Sequence, residues 1–187
     1  MIGKVSILLI AIVPFLSAGT WQVNTDYKID HSVNNNKLEL TFTLSNGKTG
    51  WMGFCFNEFM YPADCIVCQY NTNKGECFDS FNPGVTNVPF YPAPVVDTYN
   101  TNGASFPVMG NHGKDNLSLV STVKANNQIV IKVNRALDTL DKYDQLILCG
   151  NTYKVNAAYH SATLWNTTPG SAQTKHSASA KSSIKFC

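Results

Sequence analysis

Strict alternation of apolar and polar residues, in short stretches separated by turn-forming residues, limits this chain to β structure. Lys37 to Leu44 reads KLELTFTL and Gln128 to Arg135 reads QIVIKVNR, so each turns one face to a core and the other to water. An Asn-Asn-Asn turn precedes the first and Asn46-Gly47 follows it, while Ala125-Asn126-Asn127 joins the second to a strand at Leu117 to Val123. Trp21 to Asp30, Glu76 to Phe81, Leu146 to Cys149, Tyr153 to Tyr159 and Ser182 to Phe186 read as further strands. Ala136 to Tyr143, rich in Asp and Leu, is the one stretch expected to form a helical turn. Many short strands with frequent turns predict a single antiparallel β-sandwich, immunoglobulin-like and all-β, with little helix.

The densest apolar stretch is GWMGFCFNEFMYPADCIVCQY, Gly50 to Tyr70, which reads as strand, corner and strand. Met60 sits on the corner. A methionine there ordinarily packs under a loop, because its unbranched thioether fills irregular gaps; the alternative is a sulfur facing a cofactor, as when Met pairs with His on haem iron. Spacing does not choose between them.

Met1 to Gly19 carries Lys4, the apolar run Val5 to Phe15 and the small residues Ser17, Ala18 and Gly19, the pattern of a secretory signal peptide cleaved after Ala18 or Gly19. No other stretch approaches the length of a membrane helix, so residues 20–187 are expected to form one exported, soluble domain with no membrane span. The formal charge of +2 falls by one with Lys4, and so weak a balance gives no basis for nucleic-acid binding. The chain has one arginine, Arg135, suited either to a surface ion pair or to a carboxylate ligand.

Six cysteines in an exported chain point to disulfides. Cys68 and Cys77 flank a hairpin loop at Asn71 to Gly75 and are placed to face each other on adjacent strands. Cys187, the last residue, can tie the final strand to Cys149, which leaves Cys55 with Cys65 by elimination. Cys65-Ile-Val-Cys68 has thioredoxin spacing, but a redox motif needs a helix N-terminus and these residues lie in a β-branched run. No second half of a zinc-ligand pattern accompanies it.

Asn82 to Gly113, rich in Pro, Gly and Asn, reads as a long irregular excursion of the kind that often binds ligands. Asn116-Leu-Ser118 and Asn166-Thr-Thr168 are glycosylation sequons. Of the four histidines, His31 is expected in solvent beside Asp30, His112 in an exposed loop, His160 at a strand end and His176 between a polar loop, Ser161 to Lys175, and the last strand. No Ser-His-Asp grouping, catalytic carboxylate pair or phosphate-binding glycine loop is identifiable, so the chain is not expected to be an enzyme.

Gly50-Trp51, then Met60, then Ala63-Asp64 before an apolar strand, with a hairpin returning through Phe78-Asp79-Ser80, resembles the DOMON domain. VNRALDTLD, the Ala158-Tyr159 strand and His176 about ten residues before Ile184-Lys-Phe186 extend the resemblance across nearly all of Thr20 to Phe186. It implies a secreted β-sandwich and, in haem-binding members, Met and His as axial iron ligands. Carried over, it assigns Met60 and His176, with His160 as the competing histidine. Trp51, Phe54, Phe56, Phe59, Tyr91 and Phe106 would supply apolar walls, and Arg135 would meet a propionate. The two donor atoms would stand about 4 to 5 Å apart across the mouth of the sandwich. The resemblance thus implies a secreted haem b protein passing electrons to an extracellular redox partner. Its alternatives are a haem-free module binding a sugar or other small molecule and, third, an adhesion module.

Overall fold

The computed structural model describes residues 17–59, 63–82, 95–96, 115–166 and 175–187. Along these the strands are β1 (Ser17–Gln22), β2 (Tyr27–Asn34), β3 (Lys37–Leu44), β4 (Met52–Phe56), β5 (Ala63–Asn71), β6 (Lys74–Asn82), β7 (Val95–Val96), β8 (Ser118–Ala125), β9 (Gln128–Ala136), β10 (Thr152–Tyr159) and β11 (Ala178–Lys185). One sheet has the order β1-β2-β3-β9-β8 and the other β11-β10-β4-β5-β6-β7, with antiparallel pairing throughout. This is the all-β antiparallel sandwich that the alternation predicts, and no helix occurs among the described residues.

The inward positions of β3 (Leu38, Leu40, Phe42, Leu44) and β9 (Ile129, Ile131, Val133) face Met52, Phe54, Phe56 and Ile66 of the other sheet. Tyr27 lies against Phe42 and Tyr159, its ring centre 6.5 and 5.9 Å from theirs. Three hairpins turn through consecutive left-handed residues, Asn35-Asn36, Thr72-Asn73 and Asn126-Asn127. Asparagine tolerates that conformation and matches the twist of the strands it joins.

Three disulfides, Cys55–Cys65, Cys68–Cys77 and Cys149–Cys187, join the pairs expected from position, and no cysteine is free. The first two cross adjacent strands at directly opposed positions. The third ties the chain end to the turn before β10.

Several local expectations are corrected. Trp21 to Asp30 is interrupted, because the Asn24 side-chain oxygen accepts from the backbone of Asp26 and Tyr27 and turns the chain between β1 and β2. Ala136 to Tyr143 is not helical: Ala136 ends β9 and the rest bends, because Asp138 and Asp141 accept from the backbone N–H groups of Leu140 and Tyr143 and such local bonds compete with helix. Leu146 to Cys149 is not a strand; Ile147 alone is buried there and bonds back to Leu137. His31 does not face solvent. It is half-buried, edge-on to Phe186 with ring centres 5.3 Å apart, and packs across Gly19 where a Cβ would collide with its ring. Residues 17–19 pair with Val33, Ser32 and His31, so the expected leader boundary falls within β1.

Candidate functional site

Met60 lies outside the described residues, as do Tyr91, Phe106, His112, most of the Asn82 to Gly113 excursion and residues 167–174 of the polar loop. The described neighbours define the surroundings of the other expected site residues. His160 and His176 come together at one end of the six-stranded sheet. Tyr159 pairs with Ala178, and the Ser177 N–H donates to the Tyr159 carbonyl at 2.8 Å just beyond. Gly50 is required here because any Cβ would lie on the His160 carbonyl oxygen. The Nδ1 of His160 accepts from the backbone of Ala162 and Thr163, at 3.1 and 2.8 Å. A neutral His160 therefore carries its proton on Nε2. His176 is half-buried, and burial followed by the neighbouring Lys175 lowers its pKa, which favours the neutral imidazole.

Trp51 is buried on the outer face of that sheet. Its ring stands edge-on to Trp165, 5.1 Å away, over Val67 and Ala158, with Phe78 alongside. The Trp165 backbone N–H is held by the Gln69 side chain at 2.6 Å, which fixes the loop after β10 over the sheet. Trp51 thus belongs to an apolar outer-face cluster, whereas Phe54 and Phe56 are interior core.

Phe59, the residue before Met60, also turns to the outer side, with the Lys181 ammonium 4.6 Å from its ring centre. Strand register sets the scale. Met52 is opposite Tyr159, but Phe56, where β4 leaves for the corner, is opposite Asp64 at the other end. From Lys181 back to His176 is roughly 16 Å of extended chain. His176 thus lies just before β11, at the Met52–Tyr159 end of the sheet and away from the Phe56–Asp64 end.

A DOMON domain model matches residues 23–160, most of the chain. The chain belongs to the DOMON family. No curated protein sequence matches it. Among solved structures, the cytochrome b domain of pyranose dehydrogenase from Coprinopsis cinerea is similar in fold, with TM-score 0.58 and 15% identity over 90% of this chain and 80% of that one. The cytochrome domain of Myriococcum thermophilum cellobiose dehydrogenase gives 0.59 and 10%, covering 91% and 83%.

At the far end of this DOMON domain from the histidines, Arg135 occupies an unexpected place. In place of a solvated side chain or surface ion pair, it is 2% exposed, reaching from β9 across the sandwich to Asp64 on β5. Its Nη1 donates to Asp64 Oδ2 at 2.8 Å and stands 3.8 Å from Asp144 Oδ2; Nη2 donates to the Gln145 carbonyl at 2.6 Å. The guanidinium also lies over Phe56, 4.8 Å from the ring centre. These contacts hold both terminal nitrogens of Arg135 within the protein, while its buried Nε has no partner.

Asp79 of β6 completes the group and is fully buried. Its Oδ2 accepts from the Asn116 backbone at 2.9 Å, and the Asn116 side-chain nitrogen donates to Asp144 at 3.1 Å. That bond uses the nitrogen to which a glycan would attach. Burial first, and then the neighbouring carboxylates, push Asp79 up to about 7. Burial pushes Asp64 up to about 6 despite Arg135. The sequence signals were available: Asp64 interrupts the apolar run of β5, and Asp79 lies between Phe78 and Phe81. A charged residue on a buried strand is rare unless paired. Asp144 carried no such signal.

Proposed function

We propose that this DOMON protein is an exported haem b module that relays electrons, and not an enzyme in its own right. The observation carrying the reading is the family's sandwich, similar in fold to two cytochrome b domains, together with a half-buried His176 of lowered pKa at the same end of the sheet as His160. Three disulfides fit an oxidising compartment, and no described helix is long and apolar enough to cross a membrane. Residues 1–19 serve as the leader and 20–187 as the working domain.

Met60 and His176 would hold the iron, with His160 the alternative imidazole. When bound, haem would supply a one-electron couple for exchange with an extracellular redox partner. The protein's part is to favour neutral His176 through burial, to exclude water with Trp51 and Trp165, and to hold the loop carrying His160 against Gly50.

Visible spectra of protein made in an oxidising host with haem supplied test the proposal. A six-coordinate low-spin spectrum is expected, lost separately in Met60→Ala and His176→Ala while circular dichroism stays β. Loss in His160→Ala but not in His176→Ala would transfer the ligand role to His160. A colourless protein would reject the reading.

The second reading is a haem-free sugar-binding module. A groove of about 330 Å³ at the five-stranded sheet favours it, where Asp30, Ser32, Glu39, Thr41 and Lys132 offer polar groups beside Ala18, Gly19 and His31. Calorimetric titration with oligosaccharides, with Thr41→Val as control, distinguishes it.

A further inference from the structure

Asp64, Asp79 and Asp144 each offer a carboxylate oxygen, and these three atoms lie within 4.8 Å of one another inside the sandwich. A cluster of aspartates is unremarkable when every oxygen has a partner. Here Asp64 Oδ1 and Asp79 Oδ1 are buried with no hydrogen-bond donor, in residues only 5% and 0% exposed. Leaving a charged oxygen buried and unpartnered is expensive. The deficit is also one of charge. Three carboxylates face one guanidinium, so the ionised group is two positive charges short, the charge of one divalent cation.

We infer that Asp64, Asp79 and Asp144 form a binding site for a divalent cation of the calcium class, placed between the two sheets beside Arg135. The donor set is all oxygen, which excludes a preference for soft metals. Calcium–oxygen bonds of about 2.3–2.6 Å span ligand separations up to about 5 Å, which accommodates these atoms; magnesium, at about 2.0–2.1 Å, demands a tighter octahedron. Each carboxylate is fixed by another contact. Asp64 accepts from the Gln145 backbone at 2.6 Å and from Arg135, Asp79 accepts from the Asn116 backbone, and Asp144 accepts from the Asn116 side chain. The site therefore links β5, β6, the approach to β8 and the turn after β9. An ion there would fasten the turn carrying Gln145 to the other sheet. This site is independent of the haem reading, since it uses neither histidine nor Met60.

The test is calorimetric titration of the exported protein with calcium chloride at pH 7.5, with thermal melts in EDTA and in 10 mM calcium. Exogenous haem is omitted so that the two proposals are separated. Binding in the range of about 10⁻⁴–10⁻³ M is expected, as in extracellular calcium modules, with a rise in Tm of at least about 3 °C. Asp79→Asn should lose the calcium response yet melt above wild type in EDTA, because it removes an uncompensated anion; a merely structural aspartate would destabilise in both. Asp144→Asn should behave alike and serves if the first variant does not fold. Absence of both heat and Tm shift in the wild type would overturn the inference, leaving protons as the neutralising partner. A full calcium response retained in Asp79→Asn would overturn it as well.

Discussion

The middle of the sandwich and its charged corner are made by the same strands and behave differently. Along β3 and β9 the inward positions are Leu, Phe, Ile and Val until Arg135, and on β5 Ile66 and Asp64 occupy the same face two residues apart. Apolar burial in the middle contributes stability regardless of pH. At the corner the contribution depends on what balances the carboxylates. Within one core, hydrophobic positions are interchangeable in kind, whereas the charged ones are bound to particular partners.

Two substitutions contrast these regions. Phe42→Ala should cost about 3–5 kcal/mol in urea unfolding, equally at pH 5 and pH 8. Arg135→Leu should cost a similar amount, about 3–5 kcal/mol, at pH 8, where it leaves buried carboxylates without a counter-charge, and clearly less at pH 5. Equal losses for Arg135→Leu at the two pH values would dissolve the contrast.

Wild-type stability should follow the same logic without mutation. Asp64 and Asp79 have folded-state pKa values near 6 and 7, raised from 3.8, so the folded chain holds these protons more tightly than the unfolded one. Their stabilising contribution is complete below about pH 4 and is lost as pH rises through 6 and 7. Urea midpoints in EDTA between pH 5 and pH 8 should therefore fall. Calcium should flatten the decline if the cation site exists.

A smaller loss is expected at the histidine end. Gly50→Ala forces a Cβ onto the His160 carbonyl and should cost about 1–3 kcal/mol, with His160 displaced in an imidazole proton spectrum. The smallest effect belongs to the outer face of the five-stranded sheet. There Lys132 and Glu39 form a 2.7 Å ion pair with both side chains partly exposed. Lys132→Met should change stability by less than about 1 kcal/mol, and less still in high salt.

Much of the architecture was legible because it is local. Alternation in KLELTFTL and QIVIKVNR named the buried faces, and Asn-rich turns named the hairpins. The cysteine pairs followed from hairpin position and the chain end. Errors arose where a side chain bonded to its own backbone, as Asn24, Asp138 and Asp141 do, because pattern reading counts polarity and not local acceptors.

By itself, then, the sequence determined the β class, the DOMON resemblance and the residue types available for ligation, since each depends on neighbours along the chain. Only the tertiary structure decided where Arg135 goes, that Trp51 meets Trp165 on an outer face, and that His160 and His176 share one end while Asp64, Asp79 and Asp144 converge at the other. Those placements depend on which strands lie side by side and which face each other across the core. Asp64 and Arg135 are separated by 71 positions, and no local signal carries a distance of that kind.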